Sequence, residues 1–506
     1  MTVTELFIEA ARRKGRQPFL VDDRHEISGD DAWRQASGFA AWLEGNCEAG
    51  AGVVFLCPAS ARHAVAWFGA LIASRPVSGL HVREPPASLA ATIDWLAPAV
   101  LVFDDATAAL AAEAVDLASS TPTMVGLATA EAAEITFDEA SSHDVFALAT
   151  PAPNDVAAII LSSGTTGEPK GVVHTHHSLT QAAVHGRRHF HVSSADKSLL
   201  LYLQPSFAGW AVFVLPCATA GMTVRFGQSF DPARFLQQCQ DHRITHAPLV
   251  PTTWRMTLAA GPEDYDLTSL DVAFVGGEAP TSDDVAQLTT RIAPTVSLSY
   301  VASETLTGSA VSGDARQLDE AGKTGSMGRP GHATEVRIVD PDGGVDHTAA
   351  AGEIGEILVR GPSNAAGYWK NPELTARRFV DGWWRSGDLG VLDADGDLWV
   401  QGRHDNVINT GGIKVHGEEV ENALLAHPAV SSCAVVGQPD ATYGRRIEAY
   451  VLPVGEPPAP DVLDRFLRED RALAGFKVPK AFHIVDELPT GATGKLYRRA
   501  LIRDAD

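Results

Sequence analysis

Cysteine and methionine each occur only five times in 506 residues. Cys47, Cys57, Cys217, Cys239 and Cys433 are scattered, odd in number and contain no Cys-x-x-Cys pair, which argues against a disulfide framework or a zinc site and for small apolar packing residues. Positive charge is also scarce: 40 Lys and Arg stand against 63 Asp and Glu, a net charge of -23. Such a surface repels nucleic acid and anionic membrane, so a site for an anionic ligand must gather its cations locally. No apolar run approaches the ~18 residues of a transmembrane helix. Residues 1–11 are acidic and amphipathic, unlike a signal peptide, and the expected compartment is the cytoplasm.

What is present is an ordinary globular composition, 45% hydrophobic and 20% charged, long enough for several domains. Residues 1–150 alternate short apolar runs (Val53 to Leu56, Val100 to Phe103) with Ala-rich helical segments, the texture of βαβ units. A Pro-containing connector near 151–153 leads to a second alternating stretch, 155–325, with strands expected at 199–203, 272–275 and 296–298. Loops at 205–210, 276–280 and 300–304 follow those strands, where doubly wound sheets bind ligands. Residues 326–402 turn to short alternating strands, a small antiparallel β unit, and 405–506 read as a compact α+β module. The expected fold class is therefore multi-domain α/β: two doubly wound subdomains and a β-barrel-like unit in 1–404, then a small C-terminal domain.

The motif with the clearest chemistry is Ser162-Ser163-Gly164-Thr165-Thr166-Gly167-Glu168-Pro169-Lys170-Gly171, after the apolar run Val156 to Leu161. Glycines admit an anion close to backbone, hydroxyls donate to it and Lys170 adds charge, although on composition alone the stretch could be a surface turn. It is not a Walker A loop, because Gly164 is followed by Gly167 and the lysine stands behind Pro169. The ordered residues resemble the signature loop of the adenylate-forming superfamily of acyl-CoA synthetases, adenylation domains and luciferases. Further segments match in the same order: Tyr300-Val301-Ala302-Ser303-Glu304, Trp384-Arg385-Ser386-Gly387-Asp388, Gly402-Arg403-His404-Asp405 and Pro489-Thr490-Gly491-Ala492-Thr493-Gly494-Lys495.

The resemblance implies ATP-dependent activation of a carboxylic acid to acyl-AMP, with Mg²⁺, followed by transfer to a thiol, that of coenzyme A. By the match, Ser162, Ser163, Gly164, Thr165, Thr166, Gly167 and Lys170 grip the pyrophosphate side of ATP, and Thr166 is catalytic. Gly276, Gly277, Glu278 and Ala279 line the nucleotide and acyl sites. Tyr300 stacks on adenine beside Val301 and Ser303, Glu304 is the catalytic Mg²⁺ ligand, Asp388 holds the ribose and Arg403 ribose and phosphate. Lys495 is the leading catalytic residue. Phe207, Ala208, Trp210, Gly276, Gly277, Val301 and Ala302 would form the acyl pocket, Asp405 the hinge of a mobile C-terminal domain, and Gly411, Gly412, Lys414 and Lys477 the coenzyme A region.

Two departures bear on the acid. Val301 stands where relatives carry Gly, and Ala208 where many carry His, while the Asp that pairs the ammonium of amino-acid substrates is missing. The segment Phe207-Ala208-Gly209-Trp210 is closer to that of aryl-CoA ligases, so an aromatic, alicyclic or otherwise bulky acid is expected and an α-amino acid is not. The alternatives are a stand-alone adenylation enzyme that loads a carrier protein's phosphopantetheine and a silent nucleotide-binding scaffold. His174, His176 and His177 invite a metal reading, but no Cys or carboxylate accompanies them and a structural role is favoured. Trp383-Trp384 reads as packing at a turn.

Overall fold

The alternation of apolar runs and amphipathic segments folds into two large sheets in the computed structural model, which describes residues 2–503 apart from 129–131, 144–149, 164–168, 193–196, 206–207, 277–279, 342, 351, 441, 472 and 491–495. In the eight-stranded sheet, Val53–Leu56, Val77–Gly79, Val100–Phe103 and Thr123–Gly126 pair in parallel, and the hairpin of Val156–Ser163 and Pro169–Thr175 joins them. Every residue of Val53–Leu56 and Val100–Phe103 is buried, as a parallel strand covered on both faces requires. The nine-stranded sheet runs Ser198–Leu201, Thr223–Phe226, His246–Leu249, Val272–Val275 and Thr295–Tyr300 in parallel, with Val311–Asp314 antiparallel beyond them.

Sheet membership does not follow the two stretches expected from sequence. Pro18–Val21 pairs with Thr223–Phe226 in the later sheet, the 156–175 hairpin belongs to the earlier one, and Gly367–Tyr368 returns to pair with Val172 and Val173. Apolar pattern identifies a strand but carries no information about its neighbour, so these crossings are visible only in the folded chain.

A curled antiparallel sheet follows, built from Glu335–Val339, Gly355–Arg360, Phe379–Val380, Trp383–Leu392 and Leu398–Arg403. The C-terminal module pairs Val430–Asp440 antiparallel with Gly444–Pro453 and adds Ala481–Ile484 in parallel. Its helices Gly417–Leu425 and Pro460–Glu469 supply Val420, Leu424, Leu463 and Leu467 to a core shared with Val435, Ile447 and Val451. The fold class is the one expected from the sequence. The chain divides into two compact units, Met1–Val336 with Val359–Trp384 and Gly396–Leu398, and Arg337–Leu358 with Arg385–Asp395 and Trp399–Asp506. No described helix is long and apolar enough to cross a membrane.

Candidate active site

Four adjacent parallel strands, ending at Leu201, Leu249, Val275 and Tyr300, present their carboxyl ends at one edge of the nine-stranded sheet. A ligand crevice belongs at such an edge. At Gly276 a Cβ would meet no atom of the described residues within 4 Å. The signature stretch is a hairpin whose arms pair Leu161 with Gly171 and Ser162 with Lys170. Gly171 is required by close approach: a Cβ there would stand 2.8 Å from Ile159 and Trp95. Ser162 and Lys170 are half-buried at the mouth of the turn. The tip residues Gly164, Thr165, Thr166 and Gly167 lie outside the described residues, as do Phe207, Gly277, Glu278, Ala279 and Lys495 and the side chains of Ser163, Asp405 and Lys414.

The chain leaves Tyr300 through half-buried Val301, Ala302 and Ser303 to Glu304. Leu306, fully buried, takes φ 47° just beyond, a left-handed conformation that a bulky residue holds only when its surroundings impose it. Those surroundings are specific. Thr175 caps the helix His176–His189 with Ser178, and the Ser178 hydroxyl also meets Nδ1 of buried His174 at 3.1 Å. The other ring nitrogen, Nε2, donates to the Ser303 carbonyl at 2.7 Å. Both nitrogens of His174 are thus engaged by protein, and burial holds its pKa down at about 4, as it does for His176. His174 sits on a strand and His176 on the following helix, so the pair shares no face for a metal.

From the opposite side, Ala365 N–H donates to the Glu304 carbonyl at 2.8 Å, and the Tyr368 hydroxyl donates to Glu304 Oε1 at 2.8 Å. Trp384 Nε1 reaches the same hydroxyl at 3.4 Å. Burial, with the Glu304 carboxylate beside it, pushes the Tyr368 phenol above its usual pKa, so it keeps its proton and remains a donor. Trp383 and Trp384 lie on a strand rather than at a turn, and Trp384 takes part in this cluster. Neither His174 nor Tyr368 carried a sequence signal for this role, since each contact joins residues far apart in the chain.

Asp388 stands in a different setting. Gly387, at φ 72°, kinks its strand, and its N–H donates to Glu356 Oε1 at 3.0 Å. Arg385 grips Glu356 Oε2 through Nε and Nη2, and Ser386 Oγ bonds the Ile357 carbonyl and accepts from Asp388 N–H. Glu356, only 5% exposed, therefore organises the turn that aims Asp388, a role no motif indicated. Asp388 Oδ1 accepts from Arg403 Nη1 at 2.8 Å, so the two residues expected at the ribose are brought together.

Residues 7–369 match the AMP-binding enzyme family and residues 419–495 its C-terminal domain. The chain belongs to the AMP-binding enzyme family. It is 35% identical to a feruloyl-CoA synthase from Amycolatopsis over 68% of this chain and 69% of that one, and 34% identical to a 4-chlorobenzoate–CoA ligase from Arthrobacter over 70% and 67%. An amide bond synthetase from Marinactinospora thermotolerans superposes with a TM-score of 0.86 at 25% identity, covering 99% of each chain.

In this family member the other expected site residues are distributed as follows. Ala208 and Val301 pack half-buried against the main core. Trp210 is corrected to a core residue: it is 2% exposed, between His63, Trp67 and Phe226, because the π-helical turn Trp210–Val214 directs it inward. Gly411 and Gly412, at φ 59° and 85°, form the exposed turn of the Val407–Thr410 and Ile413–His416 hairpin. Lys477 pairs with Glu419 at 2.6 Å. The stretch that contains Lys495 is closed by a bridge between Thr490 and Leu496 and by Tyr497 N–H to the Pro489 carbonyl. Arg498 then forks onto buried Glu421 at 3.0 and 2.6 Å, and Glu421 also accepts from Val435 N–H.

Proposed function

We propose that the protein is an ATP-dependent acid–CoA ligase for an aromatic or otherwise bulky carboxylic acid. The observation that carries this reading is the pair of hydrogen-bonded carboxylates, Glu304, within the residues that match the AMP-binding enzyme family, and Asp388, on a segment that resembles the adenylate-forming motif. The substrate carboxylate attacks the α-phosphorus of ATP, the bond to the β-phosphate breaks, and acyl-AMP and pyrophosphate form. The thiol of coenzyme A, losing its proton, then attacks the acyl carbon and AMP leaves with the bonding pair. An anion approaches an anion in the first step, so positioning and charge neutralisation dominate it.

In this reading Thr165, Thr166 and Lys170 hold the outer phosphates, Tyr300 packs on adenine, Asp388 and Arg403 hold ribose, and Lys495 reaches the reacting phosphate and carboxylate. Gly276, Ala208, Val301 and Ala302 border the acyl group. Glu304 fits Mg²⁺, since its carboxylate is the hard oxygen donor that ion takes and is half-buried, with the Tyr368 hydroxyl on Oε1. When bound, Mg²⁺ supplies charge neutralisation for the phosphates. A body hinged at Asp405 carries Lys495 in for adenylation and afterwards presents Gly411, Gly412, Lys414 and Lys477 to coenzyme A. The cosubstrates belong to the cytoplasm.

The names of the curated relatives support an aryl acid. The test is pyrophosphate release over a panel including ferulate, 4-chlorobenzoate, alicyclic acids and α-amino acids, with coenzyme A or a phosphopantetheinylated carrier protein as acceptor. Release with aryl acids and thioester formation on free coenzyme A are expected. Carrier-only transfer would make the protein a loading enzyme, and silence across the panel would leave a nucleotide-binding scaffold.

A further inference from the structure

Asp388 follows a left-handed residue, Gly387 at φ 72°, within the strand Trp383–Leu392. A glycine accepts many backbone angles, so the kink has to be held by groups outside that strand. The neighbouring strand Gly355–Arg360 supplies them from two consecutive residues. Glu356 accepts from Gly387 N–H at 3.0 Å with Oε1 and from Arg385 Nε at 2.9 Å with Oε2, and the Ile357 carbonyl accepts from Ser386 Oγ at 2.6 Å. That hydroxyl in turn accepts from Asp388 N–H at 2.9 Å. Glu356 and Ser386 are buried, whereas the Asp388 and Arg403 side chains that meet at 2.8 Å both reach the surface. A rigid interior brace thus ends on a partly exposed carboxylate, the arrangement that fixes a binding group to a narrow range of positions.

We propose that Glu356 and Ser386 are positioning residues that fix Asp388 against Arg403 and thereby set the protein's preference for a nucleotide with a ribose cis-diol over one without it. The inference rests on the reading that Asp388 and Arg403 hold the ribose. A carboxylate accepts from hydroxyls and a guanidinium donates to them, so the pair suits a vicinal diol. Neither Glu356 nor Ser386 touches the nucleotide in this proposal. Their effect runs through the backbone: they accept from the N–H groups of Gly387 and Asp388, so loss of either acceptor lets the turn shift and carries the Asp388 carboxylate with it. Glu356 uses both carboxylate oxygens, and an amide has only one acceptor oxygen, so Glu356→Gln cannot serve both Gly387 and Arg385.

The test is calorimetric titration of the full-length protein with AMP and with 2′,3′-dideoxy-AMP, for the wild type, Glu356→Gln, Ser386→Ala, Asp388→Asn and the double variant of Glu356 and Asp388. The wild type should bind AMP more tightly than its dideoxy analogue. Glu356→Gln should weaken AMP about 10-fold, the lower end for one misplaced hydrogen bond to a charged group, and leave the dideoxy analogue unchanged. General loosening of the fold would weaken both nucleotides alike. Ser386→Ala should act in the same direction by a smaller factor, and adding Glu356→Gln to Asp388→Asn should produce no further loss. Wild-type preference for AMP in Glu356→Gln, an equal loss for both nucleotides, or a further loss in the double variant overturns the proposal while leaving Asp388 at the ribose. Full preference for AMP in Asp388→Asn instead overturns the ribose assignment itself. If Glu356→Gln does not fold, Ser386→Ala carries the same test, and an unchanged preference there overturns the proposed brace.

Discussion

Glu304 accepts from the Tyr368 hydroxyl on its carboxylate and from Ala365 N–H on its carbonyl, with His174 on the carbonyl of the preceding Ser303, whereas Asp388 faces the cation of Arg403 at 2.8 Å. The first arrangement is half-buried, and the Tyr368 hydroxyl that reaches the carboxylate is an uncharged donor. The second is partly exposed, 38% for the Arg403 side chain and 15% for Asp388, and already compensated within the protein. Any group that takes Asp388 Oδ1 must share it with Arg403 or displace it. One carboxylate meets a phenol and the other a guanidinium.

The largest expected effect lies outside both corners. Lys495→Ala should reduce acid-dependent pyrophosphate exchange by about 100-fold or more, as loss of a charge-stabilising donor does, yet leave thioester formation from supplied acyl-AMP in place. Equal loss in the two half-reactions would show that Lys495 does not act in adenylation alone. Next, Glu356→Ala should break the comparison on one side alone. Removing this buried partner takes the carboxylate from Arg385, which keeps only the Gly343 and Pro341 carbonyls among its described partners, and the acceptor from the Gly387 N–H, so a loss of about 3 kcal/mol in chemical unfolding is expected, with unaltered metal dependence of activity.

The neutral clamp should reveal itself through pH. His174, His176, His189 and His246 have pKa values lowered by burial to about 4, and His63 to about 3, from 6.5. The unfolded chain takes up these protons first, so their contribution to stability is whole above pH 6.5 and is lost as pH falls toward 4. Each contributes up to about 1.4 kcal/mol per pH unit to that slope. His174→Gln should flatten it by one proton, measured as unfolding free energy against pH. The smallest effect is at the ion pair: Arg403→Lys should cost under about 1 kcal/mol of stability, given its exposure, while raising KM for ATP. A large stability loss there would mean that the Asp388 corner is as rigid as the Glu304 corner.

Much of this was legible in the primary sequence. Strands at Val272–Val275, Glu335–Val339 and Gly355–Arg360 fall where alternation and apolar runs put them, since period and burial are local properties. The motif order led to the family and brought Asp388 and Arg403 into one site. Other features had no local signal. Glu356 is one glutamate in an alternating strand, Tyr368 one tyrosine before a tryptophan, and Trp210, expected in the acyl pocket, is 2% exposed against His63, Trp67 and Phe226. Their roles depend on which chain segments lie against them.

Composition, motif spacing and strand pattern by themselves determined the family, the α/β architecture and the carboxylates to watch, because these rest on residues within a few positions of one another. Tertiary structure alone decided which sheet each strand joined and which donor reached which carboxylate. The reason is physical: a strand's neighbour and a side chain's hydrogen-bond partner are selected by packing across long loops, as when Tyr368 meets Glu304 or His174 meets Ser303, and nothing within either short segment encodes the other.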